Sequence, residues 1–329
     1  MTRHSHSALA AALALAVLAA APLVLAPWIA DLLQKIAIYA VFALSLELLV
    51  GATGLVSLGH AAFFGIGAYL TALLSPQDGP GAVLLLLPLA MLGAGACALL
   101  VGALSLRTRG VYFIMVTLAF AQMAYFIVHD THLAGGSDGM FITVRPVLAV
   151  AGAVLVDFEL PGHRYYAALA VLVLSWAFLA LLLRSRFGHA LAGIHANEQR
   201  MRAAGYPVYA YKLAAFVIAA MLAGAAGFLM AARDGAVNPE LLSWHESGAV
   251  LLMVILGGLG RLRGALIGAA AFILLKEGLS SEALLGPLAA RWQLTLGLCM
   301  IALVAGMPDG LTGLAAQWRA RTAMKRNPA

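Results

Sequence analysis

Residues 184–212 read RSRFGHALAGIHANEQRMRAAGYPVYAYK, the one long charged segment in a chain that otherwise reads as membrane. They carry five cations (Arg184, Arg186, Arg200, Arg202 and Lys212) and one acid, Glu198. Apolar helical runs bound them on both sides. His189, Leu191, Ile194, Glu198, Met201 and Ala204 predict a short helix, and Gly205 with Pro207 predicts its end. Attraction to anionic lipid headgroups would account for the charges alone. The length, the helical pattern and the abrupt stop predict a surface that touches another molecule.

The rest of the chain sets that segment in its context. Its 329 residues are 63% hydrophobic and 10% charged, against about 25% charged in soluble domains. A surface so poor in charge belongs in a bilayer. Continuous apolar runs, without alternation, exclude an outer-membrane barrel and predict an all-α, polytopic helical membrane protein. The runs are 8–27, 32–50, 60–75, 82–105, 111–129, 164–183, 213–232, 247–260, 264–280 and 292–306, or about ten helices in one transmembrane domain spanning 1–329. Two of them are short for a full crossing. The first run is longer than a signal-peptide core, which favours a retained helix.

Lys and Arg set the expected orientation. With the N-terminus inside, 14 of the 20 cations fall in inside segments, 184–212 among them, and ten spans return the basic C-terminus to the same side. The expectation is N-in, C-in. The net charge of +6 is then a property of cytoplasmic loops facing lipid, and no nucleic-acid partner follows from it. The acidic segments 130–163 and 233–246 are expected outside.

Within the membrane the least ordinary stretch is 51–69, GATGLVSLGHAAFFGIGAY. Gly51, Gly54, Gly59, Gly65 and Gly67 weaken a helix and permit close backbone approach. Thr53, Ser57 and His60 can satisfy freed backbone groups, so a broken helix is expected near 51–60. With Glu47 and Tyr69, these polar residues are candidates for a translocation path or gate; tight packing through small residues is the plainer reading. Gly257, Gly260 and Gly264, followed by Gly268, echo the pattern and suggest a parallel repeat. Glu47 lies in an apolar helix and should face protein interior or a cavity.

Other chemistries lack their residues. Cys97 and Cys299 have no metal spacing, and His129, Asp130 and His132 are too few for a metal site. No phosphate-binding loop of the GxxxxGK type, no nucleophile elbow and no cofactor motif occurs. An ion-coupled secondary transporter would have to rest on Glu47. An intramembrane enzyme would need a nucleophile and a base at matched depth, and none is evident.

The stretches 54–69, 184–198, 203–206 and 211–218, with Gly257, Gly260, Gly264 and Gly268, resemble the branched-chain amino acid permeases of bacterial ABC importers, in particular the longer of their two paralogues. The likeness covers roughly residues 35–310. It implies a multi-pass permease of the bacterial inner membrane, working with a sister permease, two cytoplasmic ATPase subunits and a periplasmic substrate-binding protein. It also implies that the chain hydrolyses nothing itself, and that 184–212 is the ATPase coupling loop, with Glu198, Arg200, Arg202, Ala203, Ala204 and Gly205 at its contact. The family carries branched-chain amino acids and other small polar solutes.

Overall fold

The computed structural model describes residues 16–313, other than 23–24, 77–78, 132–133, 151–152, 282–285 and 308. The helices are α1 (Pro27–Thr53), α2 (His60–Leu74), α3 (Val83–Ser105), α4 (Val111–Asp130), α5 (Pro161–Arg184), α6 (Arg186–Ala196), α7 (Glu198–Ala203), α8 (Val208–Asp234), α9 (Trp244–Gly257), α10 (Leu262–Ser280) and α11 (Trp292–Gly306). Of the expected first helix, residues 16–22 are helical and 8–15 lie outside the described residues. Among the described residues, six stretches are long and apolar enough to cross a bilayer: α1, α3, α4, α5, α8 and Trp292–Gly313. α9 and α10 pass that test only together, bent by 118° at their junction. With 15 residues, α2 is about 22 Å long, short of a hydrocarbon core of about 30 Å.

α1 and α8 are the buried axis. Each has 27 residues, about 40 Å of helix. From Ala219 to Ala232, α8 is almost wholly enclosed, and small residues explain how. A Cβ on Gly224 would press on the Ala90 carbonyl of α3 at 2.7 Å; one on Gly227 would strike the Phe64 carbonyl of α2 and lie 2.8 Å from the Ala68 nitrogen. Gly67 of α2 faces Gly224 in the same way: a Cβ there would lie 2.6 Å from the Gly224 Cα. Lipid gives helices little hydrophobic reason to associate, so close backbone packing of this kind holds them. Phe42, Phe64, Phe216 and Phe228 fill the larger gaps and are fully buried.

One end of the bundle carries α6, α7, the α3–α4 turn and the breaks after α1 and α9. The opposite end carries the strands. Here the expected loops 130–163 and 233–246 pair with each other: β1 (Met140–Phe141) is antiparallel to β4 (Ala236–Val237), while β2 (Val147–Val150) and β3 (Ala153–Asp157) form a hairpin. The all-helical expectation therefore describes the membrane part and not this cap. The cap is fastened at the C-terminus of α8, where the Arg233 carbonyl accepts from Arg145 Nη2 (3.3 Å) and Arg164 Nη1 (3.0 Å). The Arg233 side chain donates to Asp31 of α1 and to Asp234, both at 2.6 Å.

Gly227→Ala is expected to cost about 1–3 kcal/mol, because the atoms it meets are backbone and cannot turn aside. Leu100→Val, on the exposed face of α3, should cost under about 1.5 kcal/mol. Thermal aggregation of the purified protein in detergent checks the pair; equal midpoints would refute the packing argument.

Candidate coupling surface and glycine elbows

The break expected near 51–60 is present. α1 stops at Thr53 because Gly54 turns left-handed (φ 71°), its N–H still reaching the Val50 carbonyl, and α2 restarts at His60. The second break stands at Gly258–Arg261, with Gly260 at φ 78°. The echo seen in sequence is thus an echo of conformation: two glycine elbows at the same end of the bundle.

The elbows touch, and Glu47 is the fastening. A Cβ on Gly51 would lie 3.0 Å from the Gly260 Cα and would overlap the Glu47 carboxylate. The missing side chain makes room for that carboxylate, which faces the backbone N–H groups of Gly260 and Arg261. Its Oε2 is buried without a partner. Thr312 closes the far side of the second elbow, donating to the Gly257 carbonyl at 2.8 Å.

The other residues singled out in the sequence are buried around the first elbow. Thr53 donates to the Leu49 carbonyl (2.7 Å), and Ser57 accepts from the Gly59 N–H (3.3 Å). His60 is fully buried, stacked on Phe42, with Nε2 2.8 Å from Ser45 Oγ. Ser45 Oγ is also 2.6 Å from the Phe42 carbonyl. A carbonyl only accepts, so the serine proton points there and His60 Nε2–H donates. His60 Nδ1 and Tyr69 OH are buried without partners. Gly59 abuts the Thr117 backbone, Gly65 the Leu242 side chain, and Gly264 the Gly257 and Gly258 carbonyls. None of Glu47, Thr53, Ser57, His60 and Tyr69 lines the two recesses on the bundle.

At the same end, 184–212 forms two helices where one was expected. Asn197 breaks the run in extended conformation (φ −159°), and its side chain caps α7 by accepting from the Arg200 N–H at 2.9 Å. An Asn prefers that cap to a helix interior, and this was legible in the sequence. α6 is the seated piece. Gly188, Ala190, Leu191 and Ile194 are buried against the bundle, and the His195 ring lies over Gly54, where a Cβ would meet its Cδ2 at 3.0 Å. α7 is the presented piece, with no buried residue.

Glu198 ties α7 down, at 2.7 Å from both Lys212 Nζ and Arg202 Nη2 and 3.6 Å from Arg109. Arg200, Arg202, Ala203, Ala204 and Gly205 remain accessible. Of the histidine group weighed for metal, His129 Nδ1 is 2.7 Å from Asp130, and His132 lies outside the described residues. Among the described residues no cluster of three His, Cys, Asp or Glu could hold a metal ion.

Comparison with known proteins gives the family. A profile for the branched-chain amino acid transport system / permease component matches residues 28–305. The chain belongs to this family. The high-affinity branched-chain amino acid transport system permease protein LivM of Escherichia coli (strain K12) is 33% identical over 319 residues, 91% of this chain and 73% of the relative. LivM of Salmonella typhimurium (strain LT2) is 33% identical over 301 residues, 85% and 69%. The E. coli K12 xylose transport system permease protein XylH is 32% identical over 117 residues only, 34% and 29%. No solved structure matches the chain. This permease is a multi-pass protein of the bacterial inner membrane, a transport subunit and not an enzyme.

The hydrogen bond from Lys212, with the charges of Lys212, Arg109 and Arg202, holds the Glu198 carboxyl below its usual range against the opposing effect of burial. A depressed pKa stabilises the fold above the unfolded value of about 4.3 and ceases to do so as pH falls through the folded one. Hydrogen-exchange protection of the α7 amides should therefore hold from neutral pH to about 4.3 and drop below it. Glu198→Gln should lower that protection about two- to fivefold already at pH 7, the worth of a partly exposed ion pair. Unchanged protection in the variant would show that the ion cluster does not hold α7.

Proposed function

We propose that this permease is one membrane half of an ATP-driven importer for branched-chain amino acids or a related small polar solute. It pairs with a sister permease, two cytoplasmic ATPase subunits and a periplasmic binding protein. Likeness to LivM over most of both chains supports the solute class and the assembly. The observation that carries the mechanism is α7: a capped helix with nothing buried, pinned by Glu198, at the tip of a loop whose other helix is seated on the bundle.

An ATPase pushing on α7 moves α6 with it, since only Asn197 separates them. α6 leans on the first elbow through His195 over Gly54. Glu47 passes the displacement to the second elbow through the Gly260–Arg261 N–H groups. The same push reaches α8 directly through the Glu198–Lys212 bridge. α1, α8 and both elbows then shift as one body. Glu47, the only acid the secondary-transporter reading could use, is engaged in that fastening.

Charge distribution supports N-in, C-in. The α7 end holds Arg107, Arg109, Arg184, Arg186, Arg200, Arg202, Lys212, Arg261 and Arg263, against Lys35, Arg145, Arg164, Arg233, Lys276 and Arg291 towards the strand end. In this orientation α7 faces the cytoplasm and the strand cap faces outside, towards a binding protein. The six spans with α2, α9 and α10, each traversing with help from tilting and neighbours, make nine crossings, and the apolar run 8–27 makes the tenth.

Ala204→Tyr, on the exposed end of α7, is expected to cut ATP-dependent leucine uptake by about tenfold or more, a loss of at least about 1.4 kcal/mol of coupling, with the permease still inserted and ATP hydrolysis continuing. Wild-type uptake should survive collapse of the proton gradient and cease without ATP. Normal uptake by the variant, with no ATPase co-purifying with the permease, would overturn the reading.

A further inference from the structure

Between Arg145 and Asp157 the chain runs PVLAVAGAVLV, eleven residues without one polar side chain. These residues build the β2–β3 hairpin, and its surface is not hidden. Val154 and Leu155 are 59% and 58% exposed, with Ala149 and Ala153 exposed beside them. Sequence neighbours on a regular strand point to opposite faces. Here the ladder slips. Leu148 pairs with Val156 and Ala149 with Val154, which leaves Leu155 as an additional, unpaired residue. A bulge of this kind re-aims a side chain. Leu148 and Val156 pack inward on the core.

The stem is the reverse of the tip. Arg145 donates to Glu159 through its backbone N–H (3.2 Å) and through Nη1 (3.3 Å). The Asp157 N–H donates to His163 Nδ1 (3.1 Å), and the Glu159 N–H to Asp157 Oδ1 (2.8 Å). Hydrocarbon adjoins the hairpin on its other side. The Val147 N–H donates to the Gly81 carbonyl at 2.8 Å, and Val147 pairs in parallel with Ala82, one residue before α3. The first turn of α3 then shows Leu84 and Leu85, both 61% exposed. β3 leads into α5 through Leu160, which is exposed too. An apolar hairpin with an open edge in water is a template for aggregation, which proteins blunt with charges or proline. Neither stands between 147 and 156.

We propose that the β2–β3 hairpin is an interfacial membrane anchor, its apolar tip seated in the phospholipid leaflet at the strand end and its polar stem at headgroup level. The exposed tip continues the exposed, hydrocarbon start of α3, and it carries no charged or hydrogen-bonding side chain for a protein partner to read. A soluble partner that docks and departs would leave the patch wet between visits, whereas lipid covers it at all times. The backbone sets the depth. A two-stranded hairpin has edge N–H and C=O groups that hydrocarbon cannot satisfy. It therefore stays at the interface, with side chains dipping about 5–10 Å. Arg145 joins the stem to the Arg233 carbonyl at the end of α8, so the anchor also holds that end of the axis at the membrane surface.

The test uses Val154→Cys and Leu155→Cys, singly, in a chain with Cys97 and Cys299 replaced by alanine, each labelled with the environment-sensitive fluorophore NBD. The assembled transporter is reconstituted in vesicles of phosphatidylethanolamine and phosphatidylglycerol, with or without phosphatidylcholine brominated near the ester end of its acyl chains. Leu92→Cys, on the exposed face of α3, is the lipid control, and Ser137→Cys, exposed on the cap, is the water control. Labels at 154 and 155 are expected to lose at least about threefold more emission to the brominated lipid than the label at 137, as for a segment lying in the interface. Iodide in the buffer should quench in the opposite order. Iodide quenching at 154 and 155 equal to that at 137 would put the hairpin in water and overturn the proposal. Labels that neither quencher reaches would also overturn it, since they mark a protein cover such as a second permease. Lipid quenching that is relieved by adding the binding protein would do the same.

Discussion

One buried carboxylate lies where the two glycine elbows of this bundle meet. Glu47 is 3% exposed, deep among apolar helices, where an unpaired charged or polar group is costly. It lies beside the Gly260 and Arg261 N–H groups of the second elbow, in the space that Gly51 leaves. Each side solves the other's problem. A broken helix in a membrane must have its freed backbone groups satisfied by protein, and a buried acid needs donors. Two elbows and one acid form a single closed unit.

The rest of the fold follows from having such a unit at one end. α8 runs from the coupling segment to the strand cap and is buried along most of its length, so it is the rigid partner of α1. Small residues on α8, α2 and α3 set their spacing at backbone contact, which leaves little play between them. α6 and α7 are seated directly on this block. α3, α4 and α11 lie around it and are mostly exposed. On the proposed mechanism, such a block would carry force applied at α7 without losing it in soft packing.

Much of this was legible in the chain. Helix positions followed from apolar runs because a bilayer punishes any other backbone. The break after Thr53 announced itself through closely spaced glycines, and the repeat at Gly257–Gly264 through the same spacing. Glu47 was readable as an interior group, but its partners were not: backbone N–H groups more than two hundred residues away have no side-chain signature. The strand cap was missed for a similar reason, since β1 and β4 are two residues each and pair across a long separation. Asn197 was the signal that 184–212 is two helices.

The most direct measurement compares Glu47→Ala with Glu47→Gln in the assembled transporter, reading ATP hydrolysis and leucine uptake together. Glutamine keeps an oxygen for the Gly260 and Arg261 N–H groups; alanine keeps none. The account predicts continued ATP hydrolysis in both, uptake near wild type for glutamine, and a loss of about tenfold or more for alanine, the scale of a buried donor left unsatisfied. Alanine transporting as well as glutamine would contradict it.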